Sequence, residues 1–309
     1  MKPEAKPRAR HLPEPATLGE RLARMRFTIA RRFVQLSILL LFVGTARWGW
    51  KAAGVPILSG NLSASKFLET IPMTDPLALL ERLAAGHLPQ ATAALGALIV
   101  LLIYGTLGSR TFCGWVCPMN IVTELGSWLR DKLGLPADEV RHSRKTRYAT
   151  LAGALIASFL TGTAAFDVVS PQALLWRDLV FGTGLGALSA ALAIFALELA
   201  LFRDGWCGHL CPLGGFWTLT GKAVRHAAVR IVFDAEACTH CGDCLRVCPE
   251  RQIIRFKDLE KTGRIPTGEC INCGRCIAIC PEKALKFQFF GQAVLKDCRP
   301  ASLKKENAS

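Results

Sequence analysis

Thirteen cysteines are the residues of this sequence best suited to chemistry, and eight of them fall into two runs near the C-terminal end. Each run has the pattern Cys-x2-Cys-x2-Cys-x3-Cys-Pro, and the runs follow one another at 238–249 and 270–281. This is the ligand spacing of bacterial ferredoxins, in which the fourth cysteine of each run binds the other cluster. The sequence therefore predicts two [4Fe–4S] clusters, the first held by Cys238, Cys241, Cys244 and Cys280 and the second by Cys270, Cys273, Cys276 and Cys248.

Structural zinc is the alternative metal, because Cys-x2-Cys pairs also bind zinc. A zinc site needs neither a third cysteine at the next step nor a Cys-Pro ending, and both features occur twice here. Four further cysteines fall in Cys-x3-Cys-Pro pairs, which leaves Cys298 outside any pattern as a spare thiol. Cysteines used in this way indicate a reducing compartment for the cluster region rather than disulfide formation.

Four apolar segments precede the cluster runs and predict four transmembrane helices. The second and third segments are each nineteen residues long. At 1.5 Å per residue such a helix spans about 28 Å, close to the thickness of a hydrocarbon core. Glu198 is the only charge in the fourth segment, and we expect it to face the bundle or the membrane interface, because a carboxylate facing lipid is costly. The segments are 33–50, 91–109, 148–166 and 179–202.

The distribution of Lys and Arg predicts the orientation of these helices. Nine lie in the arm before the first segment and seven in the connection 110–147, against three in 51–90 and one in 167–178. Both termini are therefore expected on the cytoplasmic side of a bacterial inner membrane. The net charge of +14 then matches an anionic membrane surface rather than nucleic acid.

The apolar region contains an internal repeat. Pro76-Leu-Ala-Leu-Leu-Glu-Arg82 matches Pro171-Gln-Ala-Leu-Leu-Trp-Arg177 at an offset of 95 residues. Cys113-Gly-Trp-Val-Cys117-Pro118 matches Cys207-Gly-His-Leu-Cys211-Pro212 at an offset of 94. Two hairpins of one design imply a parallel repeat about an axis along the membrane normal, which brings the two cysteine pairs near one another.

Two interpretations of the paired motifs stay open at this point. Cys113, Cys117, Cys207 and Cys211 form a further redox site, either as four thiolates on a metal cluster or as dithiols that exchange electrons. Alternatively, Cys-x3-Cys-Pro is a structural turn in which each proline begins a helix.

The remaining chain predicts an amphipathic helix over 121–133 and two strands, Val229–Phe233 and 284–290, that pair to cover the clusters. The helix lies on the inner membrane surface or beneath the cluster domain. The predicted organisation is a cytoplasmic basic arm (1–32), an α-helical transmembrane domain of two repeated hairpins (33–221), an α+β ferredoxin-like domain with two clusters (222–290) and a tail (291–309).

With these pieces in place, the sequence resembles the NapH/MauN family of membrane ferredoxin-type proteins over about residues 27–285. The resemblance is carried by the tandem runs, the paired Cys-Gly-x-x-Cys-Pro motifs and three stretches of the outer connections. These stretches are Gly60-Asn-Leu-Ser63, Pro72-Met-Thr-Asp-Pro76 and Ala85-Gly-His-Leu-Pro89.

The resemblance implies an electron-transfer component of a quinol dehydrogenase rather than a stand-alone enzyme. It implies electrons drawn from ubiquinol or menaquinol and passed toward periplasmic nitrate reductase, together with a NapG-like periplasmic iron–sulfur protein. A NapC-like haem protein and a NapF-like cytoplasmic ferredoxin are further implied partners. The MauN-like relatives support a different hypothesis, an accessory protein that donates electrons for the maturation of a partner metalloenzyme.

A quinol-oxidising site needs a proton acceptor such as histidine or a carboxylate. Asp75, His87 and Glu198 are the candidates for the quinol side or for proton handling, with the first two expected on outer connections. The alternative for Asp75 is structural, because Thr74 or Asp75 could cap a short helix that begins at Pro76.

Overall fold

The computed structural model describes residues 17–135, 143, 145–182, 185–200, 204–224, 227–266 and 268–289. A helical region extends to residue 224 and is followed by a small α+β domain. The predicted tail, Cys298 and the first half of the predicted arm lie outside the described residues.

The helices of the helical region are α1 (Leu18–Trp48), α2 (Pro76–Ala84), α3 (Ala91–Leu107), α4 (Thr111–Trp115), α5 (Met119–Lys132), α6 (Thr146–Thr161), α7 (Ala165–Val169), α8 (Pro171–Phe181), α9 (Leu185–Ala200) and α10 (Pro212–Ala223), with a π-helical turn at Trp206–Leu210. Its strands are β1 (Lys51–Ala52), β2 (Val55–Pro56), β3 (Leu58–Gly60), β4 (Ala64–Phe67) and β5 (Ile71–Thr74). The α+β domain contains β6 (Val229–Phe233), α11 (Asp243–Val247), a 3₁₀ turn (Arg251–Ile253), α12 (Phe256–Thr262), α13 (Arg275–Ile279) and β7 (Leu285–Phe289).

The four predicted apolar segments fall largely on α1, α3, α6 and α9. Among the described residues, α1 is the one helix long and apolar enough by itself to cross a membrane, while α3 and α9 are shorter apolar helices. The bounds differ from those predicted because left-handed glycines end two helices. Gly162, at φ 65°, ends α6, and Gly182, at φ 74°, separates α8 from α9, so the predicted fourth segment is divided.

All four of these helices expose large apolar side chains. Such a surface is unusual for a soluble monomer, in which contiguous exposed apolar patches are small. The exposed residues are Phe33, Leu36 and Leu40 of α1, Leu95, Leu98, Leu102 and Ile103 of α3, Ile156, Phe159 and Leu160 of α6, and Leu185, Leu188 and Leu192 of α9.

The connection between α1 and α2, expected as an outer loop, is folded. Strands β3, β4 and β5 form an antiparallel sheet in that order, and β1 pairs with β2. Strand β5 packs against α3 at Gly96, where a Cβ atom would lie 2.8 Å from Thr74 Oγ1. The chain thus returns to the side of α3 before α2 begins.

Helices α2 and α8 are the two copies of the Pro-x-Ala-Leu-Leu-x-Arg repeat, and each begins with its proline at the first helical position. The side chain of Asp75 caps α2 by accepting a hydrogen bond from Leu77 N at 3.0 Å, and Ser170 caps α8 in the same way. Leu77 is 1% exposed and packs in a core with Trp217, whereas Leu88 beyond the other end of α2 is 93% exposed. The start of α2 therefore points into the molecule, and the structural alternative for Asp75 is confirmed.

Helix α5 is the predicted amphipathic helix, and its polar side is the buried one. Glu124 and Arg130 are 7% exposed, whereas Leu125 and Trp128 are each 52% exposed. Arg130 donates a hydrogen bond to the carbonyl oxygen of Leu199 near the end of α9. The helix therefore packs against the protein through its polar residues and leaves an apolar edge exposed.

The α+β domain has the predicted strand pairing. Strands β6 and β7 are antiparallel, with Val229 opposite Phe289 and Phe233 opposite Leu285. Apolar residues of the strands pack with those of α12 and the linker between the cysteine runs, so the two runs lie against one small core. That core includes Ile231, Phe233, Ile253, Ile254, Leu259, Ile265 and Leu285.

Candidate functional site

The twelve described cysteines are all free thiols, and they form three groups of four whose members interact electrostatically with one another. In two of the groups the fourth thiol comes from the other cysteine run, which is the arrangement that the predicted ligand sets require. The first cluster group is Cys238, Cys241, Cys244 and Cys280, the second cluster group is Cys270, Cys273, Cys276 and Cys248, and the paired-motif group is Cys113, Cys117, Cys207 and Cys211.

Each cysteine run forms a tight loop that brings its thiols together, because two of its residues adopt the left-handed backbone conformation. His240 and Gly242 have φ values of 54° and 81°, and Asn272 and Gly274 have values of 51° and 72°. These turns aim amide groups at sulfur, since His240 N lies 3.4 Å from Cys238 Sγ and Asn272 N lies 3.4 Å from Cys270 Sγ. Amide donors of this kind favour the thiolate form that binds a metal.

The thiol spacing fits clusters better than single metal ions. Within the described ranges, no three His, Cys, Asp or Glu side chains are arranged to hold a single metal ion. A tetrahedral zinc ion draws its sulfur ligands to about 2.3 Å from one atom, whereas a cubane spreads four thiolates over four iron atoms. The two cluster groups therefore suit [4Fe–4S] clusters, which supply one-electron transfer when bound.

The paired-motif group lies where the two halves of the helical region meet. Cys113 is in α4 and Cys207 is in the π-helical turn, while Cys117 and Cys211 directly precede the prolines that lead into α5 and α10. Both interpretations of the Cys-x3-Cys-Pro motif therefore fit the structure: each motif forms a turn before a helix, and the four thiols lie together. Cys117 and Cys211 accept hydrogen bonds from backbone amides at the starts of these helices, which belong to Met119, Asn120, Leu213 and Gly214.

Burial makes the paired-motif thiols weak acids in the absence of a metal. It raises the pKa of Cys211 to about 12 and raises the pKa values of Cys113, Cys117 and Cys207 above the ordinary value. Arg110 opposes this effect at Cys113, because its buried guanidinium favours a negative charge on the sulfur. Arg110 also donates a hydrogen bond to Cys207 O at 3.1 Å.

A buried ion-pair network joins the helical region to the cluster domain beside this group. Glu250, which follows the first cysteine run, pairs with Arg110 and with Arg147, the latter at 3.0 Å. Burial acts to raise the pKa of Glu250, but the two guanidinium groups lower it below its ordinary value. Arg110 also donates to the carbonyl oxygen of Glu269 at 2.9 Å, so one arginine contacts both regions.

A second network holds the same interface from the side of α1. Glu124 of α5 pairs with Arg31 at 2.9 Å and with Arg32 of α1, and it pairs with Arg275 of α13 at 2.9 Å. One carboxylate therefore connects the long N-terminal helix, α5 and the second cysteine run.

The second cysteine run contacts the first Cys-x3-Cys motif directly. Trp115 Nε1 donates to Asn272 O at 2.9 Å, and Asn272 Nδ2 donates to Thr111 Oγ1 at 2.9 Å. Gly114 is so close that a Cβ atom there would lie 2.5 Å from Ile271 O. The second cluster group is thus the one that faces the helical region.

The second cluster group lies between the paired-motif group and the first cluster group. Arg110 and Glu250 interact with Cys113 of the paired-motif group and with Cys270 of the second cluster group. Cys276 of the second cluster group in turn interacts with Cys244 of the first. Three thiols of the second cluster group are buried, whereas all four of the first are partly exposed. The order runs from the helical region through the second group to the surface of the cluster domain.

An apolar cavity of about 260 Å³ lies beside the paired-motif group. It is bounded by α1, the β3–β5 sheet, α3 and residues that flank Cys113 and Cys117. Most of the wall is hydrocarbon, and its polar members include Asp75 and Tyr104. Its lining is Ile38, Leu41, Phe42, Leu58, Leu62, Ser65, Phe67, Met73, Thr74, Asp75, Val100, Tyr104, Phe112, Val116 and Trp217.

Asp75 is the titratable carboxylate in the wall of this cavity. Burial raises its pKa to about 7, the hydrogen bond from Leu77 N lowers it, and the nearby charges of Asp167 and Glu81 raise it further. Glu81 itself accepts hydrogen bonds from Ser158, Phe166 and Asp167. A carboxyl group with a pKa near neutrality can exchange a proton at physiological pH.

The structure does not bring the other two proton-handling candidates to this cavity. His87 lies after α2, where its Nε2 atom is 3.1 Å from Gly162 O, a contact in which the ring donates. Glu198 is fully buried and faces the interior, as expected. It accepts hydrogen bonds from Gly205 N and Trp206 N, and so it caps the turn that carries Cys207.

Sequence reasoning missed Arg110, Arg147 and Glu250. Arg110 directly follows an uncharged apolar segment and precedes a cysteine motif, and a charge at such a place is usually functional or paired. Glu250 follows a Cys-Pro, where the chain leaves a cluster loop. These positions in the sequence could have marked Arg110 and Glu250 as candidates, but neither position shows that the two residues pair with each other.

Comparisons with known proteins agree with this geometry. Residues 230–281 match the family described as a 4Fe-4S dicluster domain. Residues 90–136 and 183–229 each match a family described as a 4Fe-4S binding domain, so the internal repeat is found independently.

Relatives cover most of the chain. It is 44% identical to the methylamine utilization ferredoxin-type protein MauN of Methylorubrum extorquens over 72% of this chain and 75% of that protein. It is 44% identical to the ferredoxin-type protein NapH of Haemophilus influenzae, over 74% of this chain and 77% of the relative. The chain belongs to the NapH/MauN family of ferredoxin-type proteins.

Within the NapH/MauN family, the NapH of Escherichia coli is 40% identical over 76% of this chain and 79% of its own length. No solved structure matches the chain. As a NapH/MauN family member the protein is a ferredoxin-type electron-transfer protein with iron–sulfur clusters.

Proposed function

We propose that this protein is the membrane electron-transfer subunit of a quinol dehydrogenase, in which electrons from a quinol enter beside the paired-motif group and are shared with the two cluster groups. The observation that carries the proposal is the apolar cavity, which has a titratable carboxylate in its wall and borders Phe112 and Val116 next to two of the paired-motif cysteines. Following the family, the implied partner is a NapG-like periplasmic iron–sulfur protein on the way to nitrate reductase. NapC-like and NapF-like proteins are further proposed partners.

In this proposal α1, α3, α6 and α9 are the four membrane spans of an inner-membrane protein. Their exposed apolar side chains support this arrangement, because lipid is the solvent that such a surface suits. The exposed Leu125 and Trp128 of α5 suit the membrane interface. The Lys and Arg distribution favours a cytoplasmic location for both termini and therefore for the cluster domain.

The cavity has the properties that a quinol ring requires. A lipid-soluble ring needs an apolar enclosure, and the wall is mainly Leu, Ile, Val, Met and aromatic side chains. The cavity is bounded by α1 and α3, which carry exposed apolar surfaces, so a ligand dissolved in lipid lies close to it. A volume of about 260 Å³ accommodates a ring rather than a whole isoprenoid chain.

Oxidation of a quinol to a quinone releases two electrons and two protons. The Asp75 carboxylate accepts one of the two protons from a quinol hydroxyl, and its pKa near 7 makes that transfer feasible at neutral pH, while the second proton leaves to water. The [4Fe–4S] clusters, when bound, take the electrons one at a time. Arg110 and Arg147 hold the domain that carries them against the helical region through Glu250.

The test is quinol-dependent cluster reduction by the purified full chain in detergent, followed anaerobically by EPR spectroscopy. We expect the wild type to be reduced and Asp75→Asn to be reduced about 100-fold more slowly, the lower end of typical general-base effects. Ser170→Ala, at the equivalent cap of α8, is the matched control and should keep the wild-type rate. Dithionite should reduce all three proteins equally. Wild-type clusters that dithionite reduces and quinol does not would contradict the proposal.

The similarity to MauN supports a second candidate function, an accessory protein that supplies electrons for maturation of a partner metalloenzyme. The partly exposed first cluster group would suit donation to a cytoplasmic partner. Mature partner enzyme added to membranes that lack this protein distinguishes the two functions. Full activity without the protein supports the maturation role, and absent quinol-dependent activity supports the quinol dehydrogenase.

A further inference from the structure

We propose that Cys113, Cys117, Cys207 and Cys211 together hold a third [4Fe–4S] cluster, shared between the two halves of the helical region. The inference concerns the ligand set and stands independently of whether a quinol is the electron donor.

The four thiols converge from both repeats. Every one of the six pairs among them interacts electrostatically, which is the same pattern that the second cluster group shows. The two segments that match a 4Fe-4S binding domain, 90–136 and 183–229, each contain just two cysteines. A cubane requires one ligand for each of its four irons, so neither segment is sufficient alone and the two together are.

The backbone beside two of the thiols is already arranged for sulfur ligands. Cys117 and Cys211 accept hydrogen bonds from amides at the starts of α5 and α10. Cys238 and Cys270 accept corresponding bonds within the ferredoxin runs. Hydrogen bonds to sulfur stabilise thiolate ligands and tune cluster potentials.

Buried cations lie beside the paired-motif group. A [4Fe–4S]²⁺ core with four thiolates carries a net charge of roughly −2, and a buried charge of that size needs cations close by. Arg110 is 0% exposed, Arg147 is 2% exposed, and both interact with Cys113. Two carboxylates share this site, because Glu250 pairs with both arginines and Glu198 interacts with Cys207. The two guanidinium groups still place positive charge next to Cys113.

Other uses of four thiols fit less well. The group is not arranged to hold a single metal ion, in common with all other described His, Cys, Asp and Glu side chains. None of the four is in a disulfide. In ligating iron, the four thiols would release four protons, and the group they hold would supply one-electron transfer beside the second cluster group.

The experiment is iron and acid-labile sulfide analysis of the full chain, purified anaerobically in detergent. We expect about twelve iron atoms per chain, four for each of three clusters. Cys117→Ala in one repeat and Cys211→Ala in the other should each lose about four, and the double variant should lose about four rather than eight. Equal and non-additive losses are the signature of one cluster shared by both repeats.

Cys298→Ala is the matched control and should lose no iron. The paired EPR signals of the two ferredoxin clusters report whether each variant has folded, so loss of the third cluster is separable from general failure. Wild-type protein with about eight iron atoms, or variants that keep the full iron content while those signals are intact, would overturn the proposal in favour of dithiols. Additive losses in the double variant would overturn the sharing.

Discussion

The two repeats of the helical region have the same elements but different tasks. Each has a short helix with proline at its first position, an apolar helix and a Cys-Gly-x-x-Cys-Pro motif. Yet Asp75 corresponds to Ser170, Arg110 to Asp204, and Trp115 to His209. In the first repeat these residues line the cavity or bind the cluster domain. Asp204 instead accepts a hydrogen bond from Ser127 on the neighbouring helix.

The difference has a physical cause. The cluster domain is present once, so it cannot contact both halves of a twofold frame in the same way. The cysteines, which interact with one another across the two repeats, keep the same identity in both. Residues beside them differ, because the first repeat contacts the second cysteine run through Trp115 and the second repeat approaches Glu250 through Gly208.

The largest effect should come from removing the arginine that contacts both regions. Arg110→Met leaves Glu250 with one cation in a buried site, and loss of one partner from a buried ion pair costs about 3–5 kcal/mol. Asp204→Asn, at the equivalent position, should cost about 1 kcal/mol, since asparagine keeps a hydrogen-bonding group. The thermal midpoint in detergent and hydrogen exchange of residues 227–289 measure the difference. Similar losses in both variants would contradict the unequal roles.

A second comparison uses the equivalent glycines of the two motifs. Gly114→Ala places a Cβ atom 2.5 Å from Ile271 O, so the second cysteine run must move, at a cost of about 1–3 kcal/mol. Gly208→Ala finds its nearest atom at 3.9 Å and should be nearly neutral. Faster hydrogen exchange around residues 268–280 in the first variant alone is the expected result. No change in that variant would show that the interface is looser than described.

A third comparison concerns the two helix caps and pH. The pKa of Asp75 is raised above its unfolded value, so the folded state holds an extra proton between about pH 4 and pH 7 and stability falls as pH rises through that interval. Asp75→Asn should remove this slope and also the rise in quinol-dependent rate through about pH 7. Ser170→Ala should cost about 1 kcal/mol at every pH. Unfolding curves and rates measured from pH 5 to pH 9 provide the test.

The smallest effect is expected from a single hydrogen bond. Trp115→Phe keeps the aromatic ring but removes the donor to Asn272 O, at a cost of about 0.5–1.5 kcal/mol. Trp128→Phe, on the exposed edge of α5, is the control and should leave the thermal midpoint unchanged. An equal shift in both variants would mean that ring size rather than the hydrogen bond matters.

Local sequence patterns were sufficient for the parts of the molecule that depend on local chemistry. The spacing of the cysteine runs predicted the two sets of thiols that come together, and alternating apolar residues predicted β6 and β7. The repeat predicted that Cys113 and Cys117 would approach Cys207 and Cys211. In each case the relevant residues are close in the chain or related by one symmetry operation.

Long-range contacts were not predictable in the same way. Arg110 and Glu250 are separated by 140 residues, and no local pattern connects them. Asp75 was expected on an outer connection, but β5 returns along α3 and places it in a cavity wall. The burial of the polar side of α5 was not predicted, because Glu124 is buried by three arginines from two other elements.

Helix α1 has a mechanical consequence. Its 31 residues are about 46 Å long, more than a hydrocarbon core requires, and it is continuous from Phe42, against Trp176, to Phe27, against Phe287 of the cluster domain. Because Glu124 pairs with Arg31 and Arg32, α1 holds the cluster domain in a fixed position relative to the helical region. A swinging motion of the cluster domain, like that of a tethered shuttle, would therefore have to break the contacts of Phe27 and Glu124.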